Sequence, residues 1–292
     1  METDIPFFAE MNIAILGLGL MGGSLALALR GHCKSISGMD IDPQTLSLAR
    51  ELKLADIISG DLRDILPQSD AVILAAPVRS IISLLHDLPV FHPGSPIVMD
   101  LGSTKTQIIK FMANLPARFD PIGGHPMCGK ERLSLRNADP AIFKDAPFVL
   151  VRLNRTSDKA LAFARSLCQI TGSYPLWLAA ETQDRWTAST SHLPYLVASA
   201  LVQATPEESA PLMGPGFSST TRLAATSPSM MVDILTTNRE NILDSIARFK
   251  RCFSDLEDLL IRKDYANLSE MLEMSCMKKT SFTTEDPGRA HS

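Results

Sequence analysis

Residues 11–22 constrain this chain more than any other stretch. Residues 11–16 (Met-Asn-Ile-Ala-Ile-Leu) form an apolar run of strand length, and Gly17-Leu-Gly-Leu-Met-Gly22 follows at once, opening an Ala/Leu-rich segment that ends at Leu29. Strand, glycine turn and helix in direct succession are the context in which G-x-G-x-x-G binds a dinucleotide. The first glycine allows a sharp turn, the second lets the backbone approach a pyrophosphate, and the third lets helix and strand pack closely. Free N–H groups at the helix start take the anion. Residues 11–29 carry no charge and could be mistaken for a membrane span, but Gly17, Gly19, Gly22 and Gly23 have no place in a single apolar helix. Gly17, Gly19, Leu20, Met21 and Gly22 are the first candidate cofactor residues.

The next strand, residues 35–39, leads to Asp40, where an acid accepts hydrogen bonds from the adenosine ribose hydroxyls. A carboxylate there repels a 2′-phosphate, so the expected cofactor is NAD rather than NADP. A flavin, or a fold that has lost its ligand, is the alternative. Helix at 43–52, strand at 71–75, helix at 78–88 and strand at 96–100 continue the alternation. Repeated βα units of this length predict an α/β, doubly wound parallel sheet of the Rossmann type. Ala75, Ala76 and Pro77 close one strand with small residues at the carboxyl edge of the sheet, leaving room for a cofactor. Leu101-Gly-Ser-Thr-Lys-Thr106 is a polar turn at that same edge, which makes Ser103 and Lys105 site candidates, although a hydroxyl there serves equally well as a helix cap.

Ile122-Gly-Gly-His-Pro-Met-Cys-Gly129 reads as a tight turn presenting His125, a side chain whose pKa near neutrality suits proton uptake. A strand at 148–151, a helix at 157–170 and a strand at 174–178 complete the first domain, placed at residues 1–180. Residues 181–280 read as helices only. The helix from 182 to about 204 contains Ser191-His-Leu-Pro-Tyr195, and Pro194 leaves a backbone carbonyl without its helical partner beside His192, predicting a kink and a binding wall. Gly214-Pro-Gly-Phe-Ser-Ser-Thr-Thr-Arg222 is a rigid turn running into a hydroxyl-rich helix start, with Arg222 shaped to fork onto a carboxylate. A turn histidine, a packed core histidine and a solvated arginine are the structural alternatives. Residues 281–292, polar with Pro and Gly, are expected to be a disordered tail.

Composition sets the outer limits. The 292 residues are 45 % apolar and 21 % charged with a formal net charge of −4, a globular balance without a Lys/Arg cluster, so no nucleic-acid partner is expected. Five cysteines, scattered and never in a C-x-x-C pair, suggest neither a disulfide framework nor a zinc site and fit a reducing cytoplasm. Residues 1–10 carry acids and no basic start, unlike a secretory signal.

Taken together, Gly17-x-Gly19-x-x-Gly22, Asp40, Gly102-Ser-Thr-Lys105, Gly124-His-Pro-Met127, Ser191-His-Leu-Pro194 and Gly214-Pro-Gly-Phe217 with Thr221-Arg222 resemble the prephenate/arogenate dehydrogenase family of tyrosine biosynthesis. The resemblance implies an all-α dimerisation domain after the nucleotide fold, a homodimer, and NAD(P)-dependent oxidative decarboxylation of prephenate or arogenate. His125 would accept the substrate hydroxyl's proton, and Ser103 would bond that hydroxyl or orient His125. His192, Arg222, Lys105 and Lys130 would contact the substrate, with Arg222 on the ring carboxylate. The chain departs from the family at Gln183-Asp184, where His-Asp is common, at Tyr195, where a second histidine often stands, and at Met231, where a tryptophan is frequent. Lys130 replaces a small hydroxyl residue, and its ammonium leans the expected substrate toward prephenate. A β-hydroxyacid dehydrogenase and a non-catalytic NAD-binding sensor are the rival readings; the former relies on an interdomain lysine where this chain has His192.

Overall fold

The computed structural model describes residues 5–130 and 134–284. After a short helix α1 (Ile5–Ala9) come β1 (Asn12–Leu16), α2 (Leu20–Leu29), β2 (Ser35–Met39), α3 (Pro43–Glu51), β3 (Ile57–Ser59), α4 (Leu62–Ile65), β4 (Ala71–Leu74) and α5 (Val78–Phe91). β5 (Ile97–Asp100), α6 (Thr106–Ala113), β6 (Asp120–Pro126), β7 (Pro147–Arg152), α7 (Asp158–Thr171) and β8 (Tyr174–Trp177) complete the sheet. Its order is β3-β2-β1-β4-β5-β6-β7-β8, parallel throughout except that β6 and β7 run antiparallel. Side chains alternate across each strand, so Ile13, Ile15 and Ile73 face one core with α2 and α7, while Ala14, Leu16, Val72 and Leu74 face a second with α5 and α6. Burial on both faces is why these strands are continuous apolar runs.

His125 is not on a turn. It pairs with Val149 near the end of β6, and the two preceding glycines serve close packing instead of a bend. A Cβ on Gly124 would lie 2.8 Å from the Asp100 carbonyl oxygen, and one on Gly123 would lie 2.7 Å from the Ile109 side chain. The glycine loop does act as a turn: Gly17 has φ +101°, and a Cβ there would meet the Ala75 carbonyl oxygen at 2.4 Å. The helix after it begins at Leu20, within the glycine motif itself.

Past the sheet the chain is helical: α8 (Ala180–Thr187), a π-helical turn (Ala188–His192), α9 (Leu193–Ala204), α10 (Pro215–Thr221) and α11 (Pro228–Thr237). The kink expected from Pro194 takes the form of that π turn, in which the Leu193 N–H reaches back to the Ala188 carbonyl across the wider ring. These helices join the sheet in one compact unit, residues 1–239. A second unit, residues 240–292, holds most of α12 (Arg239–Ile261) and all of α13 (Tyr265–Thr284), whose exposed side chains include Phe253, Ile261, Met277 and Phe282. The expected tail is helical as far as Thr284, and its residues 285–292 lie outside the described ones. Among the described residues, no helix is long and apolar enough to cross a membrane.

Candidate active site

Two cavities meet at the carboxyl edge of the sheet. One is lined by Gly19, Leu20, Met21, Ala75, Ala76, Pro77, Gly102 and Ser103. Gly19 caps α2 without a side-chain hydrogen bond, so the N–H groups of the first turn are available to an anion. Gly17 and Gly22 lie beneath this floor, and a Cβ on Gly22 would sit 1.8 Å from the Gly17 carbonyl oxygen, which fixes how closely loop and helix approach. The Asp40 carboxylate accepts from the Leu18 N–H at 2.8 Å and the Asp42 N–H at 2.9 Å, tying the end of β2 to the loop. A shaped glycine cradle, an open helix N-terminus and an acid at the second strand fit a dinucleotide carrying a free ribose 2′-hydroxyl.

The adjoining cavity, about 420 Å³, has the size of a small-molecule site and shares Leu20, Met21, Leu101 and Ser103 with the first. His125, Lys130, His192, Tyr195, Arg222 and Met231 all line it. His125 arrives from β6, His192 from the π turn, and Arg222 from the short turn (Arg222–Ala225) after α10. The π turn rotates His192 inward, where it is 2 % exposed. The Asn238 amide donates to His192 Nδ1 (3.2 Å) and to the Asp184 carbonyl (2.7 Å). The Lys130 ammonium is at the rim, 3.0 Å from Asp139 and 3.3 Å from the Asn137 carbonyl.

Lys105 does not line either cavity, which corrects its expected substrate contact. Its side chain is fully buried and its ammonium bonds Asp100, whose carboxylate also accepts from the Gly102 N–H (2.9 Å) and the Gly124 N–H (3.3 Å). The pair locks the polar turn after β5 to the glycines before His125. Burial pulls the Lys105 amine below its usual range, and Asp100 pulls it back.

Two residues with decisive positions entered the sequence reading only through the family pattern, Gln183 as a departure from its histidine and Asp184 as the aspartate it shares. Both carboxylate oxygens of Asp184 cap α6, accepting from the backbone N–H of Lys105 (2.6 Å) and Thr106 (2.8 Å). The hydroxyl cap considered for Ser103 is therefore not used; the cap comes from α8. Gln183 Nε2 donates to the Ser103 carbonyl (3.1 Å) and lies 2.9 Å from His125 Nδ1. A polar pair at the start of a helix, one turn after a sheet strand, was the available signal, and single-sequence reading gives it no target.

Both histidines are held neutral. Burial, helped by the nearby Lys105 and by the repulsion that a second protonated ring at His192 would add, pushes His125 down to about 3, and burial alone pushes His192 down to about 4. A neutral imidazole beside an anion-ready loop can exchange a proton with a bound hydroxyl, and an arginine in the same cavity can pair with a carboxylate.

Comparison with known proteins bears on the same residues. The family profile "Prephenate dehydrogenase, nucleotide-binding domain" matches residues 25–174, and "Prephenate dehydrogenase, dimerization domain" matches residues 179–274. The chain is 31 % identical to a prephenate dehydrogenase of Bacillus subtilis over 88 % of its own length and 72 % of that protein. Its fold matches the crystal structure of Aquifex aeolicus prephenate dehydrogenase in complex with hydroxyphenyl propionate and NAD+ with a TM-score of 0.85 and 29 % identity, covering 93 % of this chain and 98 % of that one. Synechocystis arogenate dehydrogenase is similar with a TM-score of 0.79 and 28 % identity, covering 93 % and 100 %.

Histidines kept neutral by folding make stability depend on pH. Between the unfolded value near 6.5 and the lowered folded values, the unfolded chain binds the protons that the folded chain refuses. This contribution is complete above about pH 6.5 and is lost as pH falls toward 4. Thermal unfolding followed from pH 7.5 to 4.5 is expected to show a falling Tm, with a shallower fall in a His192→Asn variant. Equal slopes for the two proteins would remove His192 from this account.

Proposed function

Because this chain belongs to the prephenate dehydrogenase family, we propose that it converts prephenate to 4-hydroxyphenylpyruvate by NAD-dependent oxidative decarboxylation, as a step of tyrosine biosynthesis. The observation that carries this reading is the convergence of Ser103, His125, His192 and Arg222 on one cavity beside the glycine loop. An NAD-binding sensor would need only the loop.

Gly17, Gly19, Leu20, Met21, Gly22, Asp40, Ala75, Ala76 and Pro77 would hold the cofactor. NAD supplies the hydride acceptor when bound. Neutral His125 accepts the proton of the substrate's ring hydroxyl as the hydride leaves the same carbon, and Ser103 bonds the hydroxyl or steadies the imidazole. Arg222 pairs with the ring carboxylate until it departs as CO2, a loss favoured because it makes the ring aromatic. His192 contacts the substrate from the π turn. Lys105, bonded to Asp100, acts through the backbone of the Ser103 turn and not on the substrate.

Arogenate is the second reading, since one similar structure is an arogenate dehydrogenase. The two substrates differ at the side chain's end, where prephenate has a keto acid and arogenate an amino acid whose ammonium offsets the carboxylate. The Lys130 ammonium at the cavity rim favours the purely anionic end. The unpaired cysteines Cys33, Cys128, Cys168, Cys252 and Cys276 suit a cytoplasmic location.

NADH formation by the purified protein, with NAD or NADP and with prephenate or arogenate, tests the assignment; the expected productive pair is NAD and prephenate. For His125→Asn, kcat is expected to fall about 10²- to 10⁴-fold with a modest change in KM. Arg222→Ala should chiefly raise KM for prephenate, and an unchanged KM would count against the carboxylate pairing. The second family profile and the exposed apolar side chains of residues 240–284 support a homodimer. Light scattering coupled to size exclusion should give twice the chain mass; a monomer would refute it.

A further inference from the structure

The Gln183 side chain has one polar atom without a use. It is 1 % exposed, its Nε2 serves both the Ser103 carbonyl and His125 Nδ1, and its Oε1 is buried with no hydrogen-bond partner among the described residues. A carbonyl oxygen only accepts, so the amide corner facing Ser103 has to be the NH2 group. Its second N–H then points at His125 Nδ1, which takes it with a lone pair. The imidazole proton therefore resides on Nε2. A ring in that form donates from Nε2, whereas taking a proton from a substrate hydroxyl requires a bare Nε2.

We propose that Gln183 is a positioning residue that sets which nitrogen of His125 carries the proton, and that turning its amide switches His125 from hydrogen-bond donor to proton acceptor. In the turned state Oε1 accepts from Nδ1–H, and Nε2 is left with its lone pair for the substrate hydroxyl. The orphan oxygen is thus the acceptor that the working state uses, which explains a buried polar atom that is otherwise a cost. The resting state is favoured because the turned amide sets Oε1 against the Ser103 carbonyl. A hydroxyl donating to Nε2 favours Nδ1–H, so substrate entry tips the balance. When the hydroxyl O–H bond breaks and Nε2–H forms, the imidazolium has two N–H groups, and Oε1 holds the one at Nδ1. Lys105 and His192 are the other titratable groups that act on this ring. The proposal deepens the base role given to His125 above and rests on it.

The test is two-bond ¹H–¹⁵N NMR of the full-length, ligand-free protein labelled at histidine, with the His125 signals assigned by their loss in His125→Asn. The expected spectrum shows His125 as Nε2–H. In Gln183→Glu, whose carboxylate only accepts, His125 should read as Nδ1–H. The acid limb of kcat/KM should then move up by about one pH unit or more, because an anionic partner favours the imidazolium. Gln183→Met, which removes both amide atoms while keeping bulk, should lose about tenfold or more in kcat with KM within about threefold. Nδ1–H in the wild-type protein, an unmoved tautomer in Gln183→Glu, or wild-type kcat in Gln183→Met would each overturn the proposal. The tautomer is read without substrate. An Nε2–H spectrum from a protein inactive on prephenate would contradict the function, while an Nδ1–H spectrum from an active one would contradict only the switch.

Discussion

The structure depends on one carboxylate. Asp184, almost wholly buried on α8, spends both oxygens on the first N–H groups of α6, where the helix dipole favours a negative charge. That contact joins the helices after β8 to the sheet edge at the place where chemistry is wanted. Gln183, one residue earlier, is thereby brought to His125 and the Ser103 carbonyl. Asn238, at the end of α11, bonds the Asp184 carbonyl and His192 in turn. Remove the clamp and each of these side chains loses its reference point.

A second constraint works from below. The Asp100–Lys105 pair is fully buried, and its value is not raw stability, since desolvating two charges offsets much of their attraction. What it supplies is registry. Asp100 gathers N–H groups from Gly102 and Gly124 as well as the Lys105 ammonium, so the turn carrying Ser103 and the strand carrying His125 share one anchor. The glycines at 123 and 124 let those backbones close on each other. With the backbone fixed from below and Gln183 fixed from above, the His125 ring has little orientational freedom. Burial then keeps it neutral, the state a proton acceptor needs.

Much of this was legible in the sequence because its signal is local. The glycine loop, the alternation of strands and helices, Asp40 and the small residues at 75–77 each show as a short motif, an apolar run of strand length or a fixed spacing, even where the contacts they make, such as Gly17 on Ala75, lie far along the chain. His125, Ser103, His192 and Arg222 were recognisable as candidates because Gly and Pro surround them. What failed to show was reach. The glycines before His125 look the same whether they bend a turn or let β6 pack on its neighbours, and only the pairing with β5 and β7 decides for a strand. Lys105 looked like a substrate contact because nothing in the chain announces that Asp100 lies beneath it. Gln183 and Asp184 act on residues about eighty positions away, and a helix start with polar side chains gives no hint of such a target.

The most direct test of this account is to measure unfolding free energy and kcat/KM together in Asp184→Asn, which keeps the shape but turns one acceptor into a donor facing an N–H. The account predicts a stability loss of about 2–4 kcal/mol. It also predicts a fall in kcat/KM of about a hundredfold or more at a temperature where the variant is fully folded, because Gln183 and His192 lose their placement. A variant that is destabilised yet retains kcat/KM would contradict it, showing that the helices and the sheet edge form the site without the clamp.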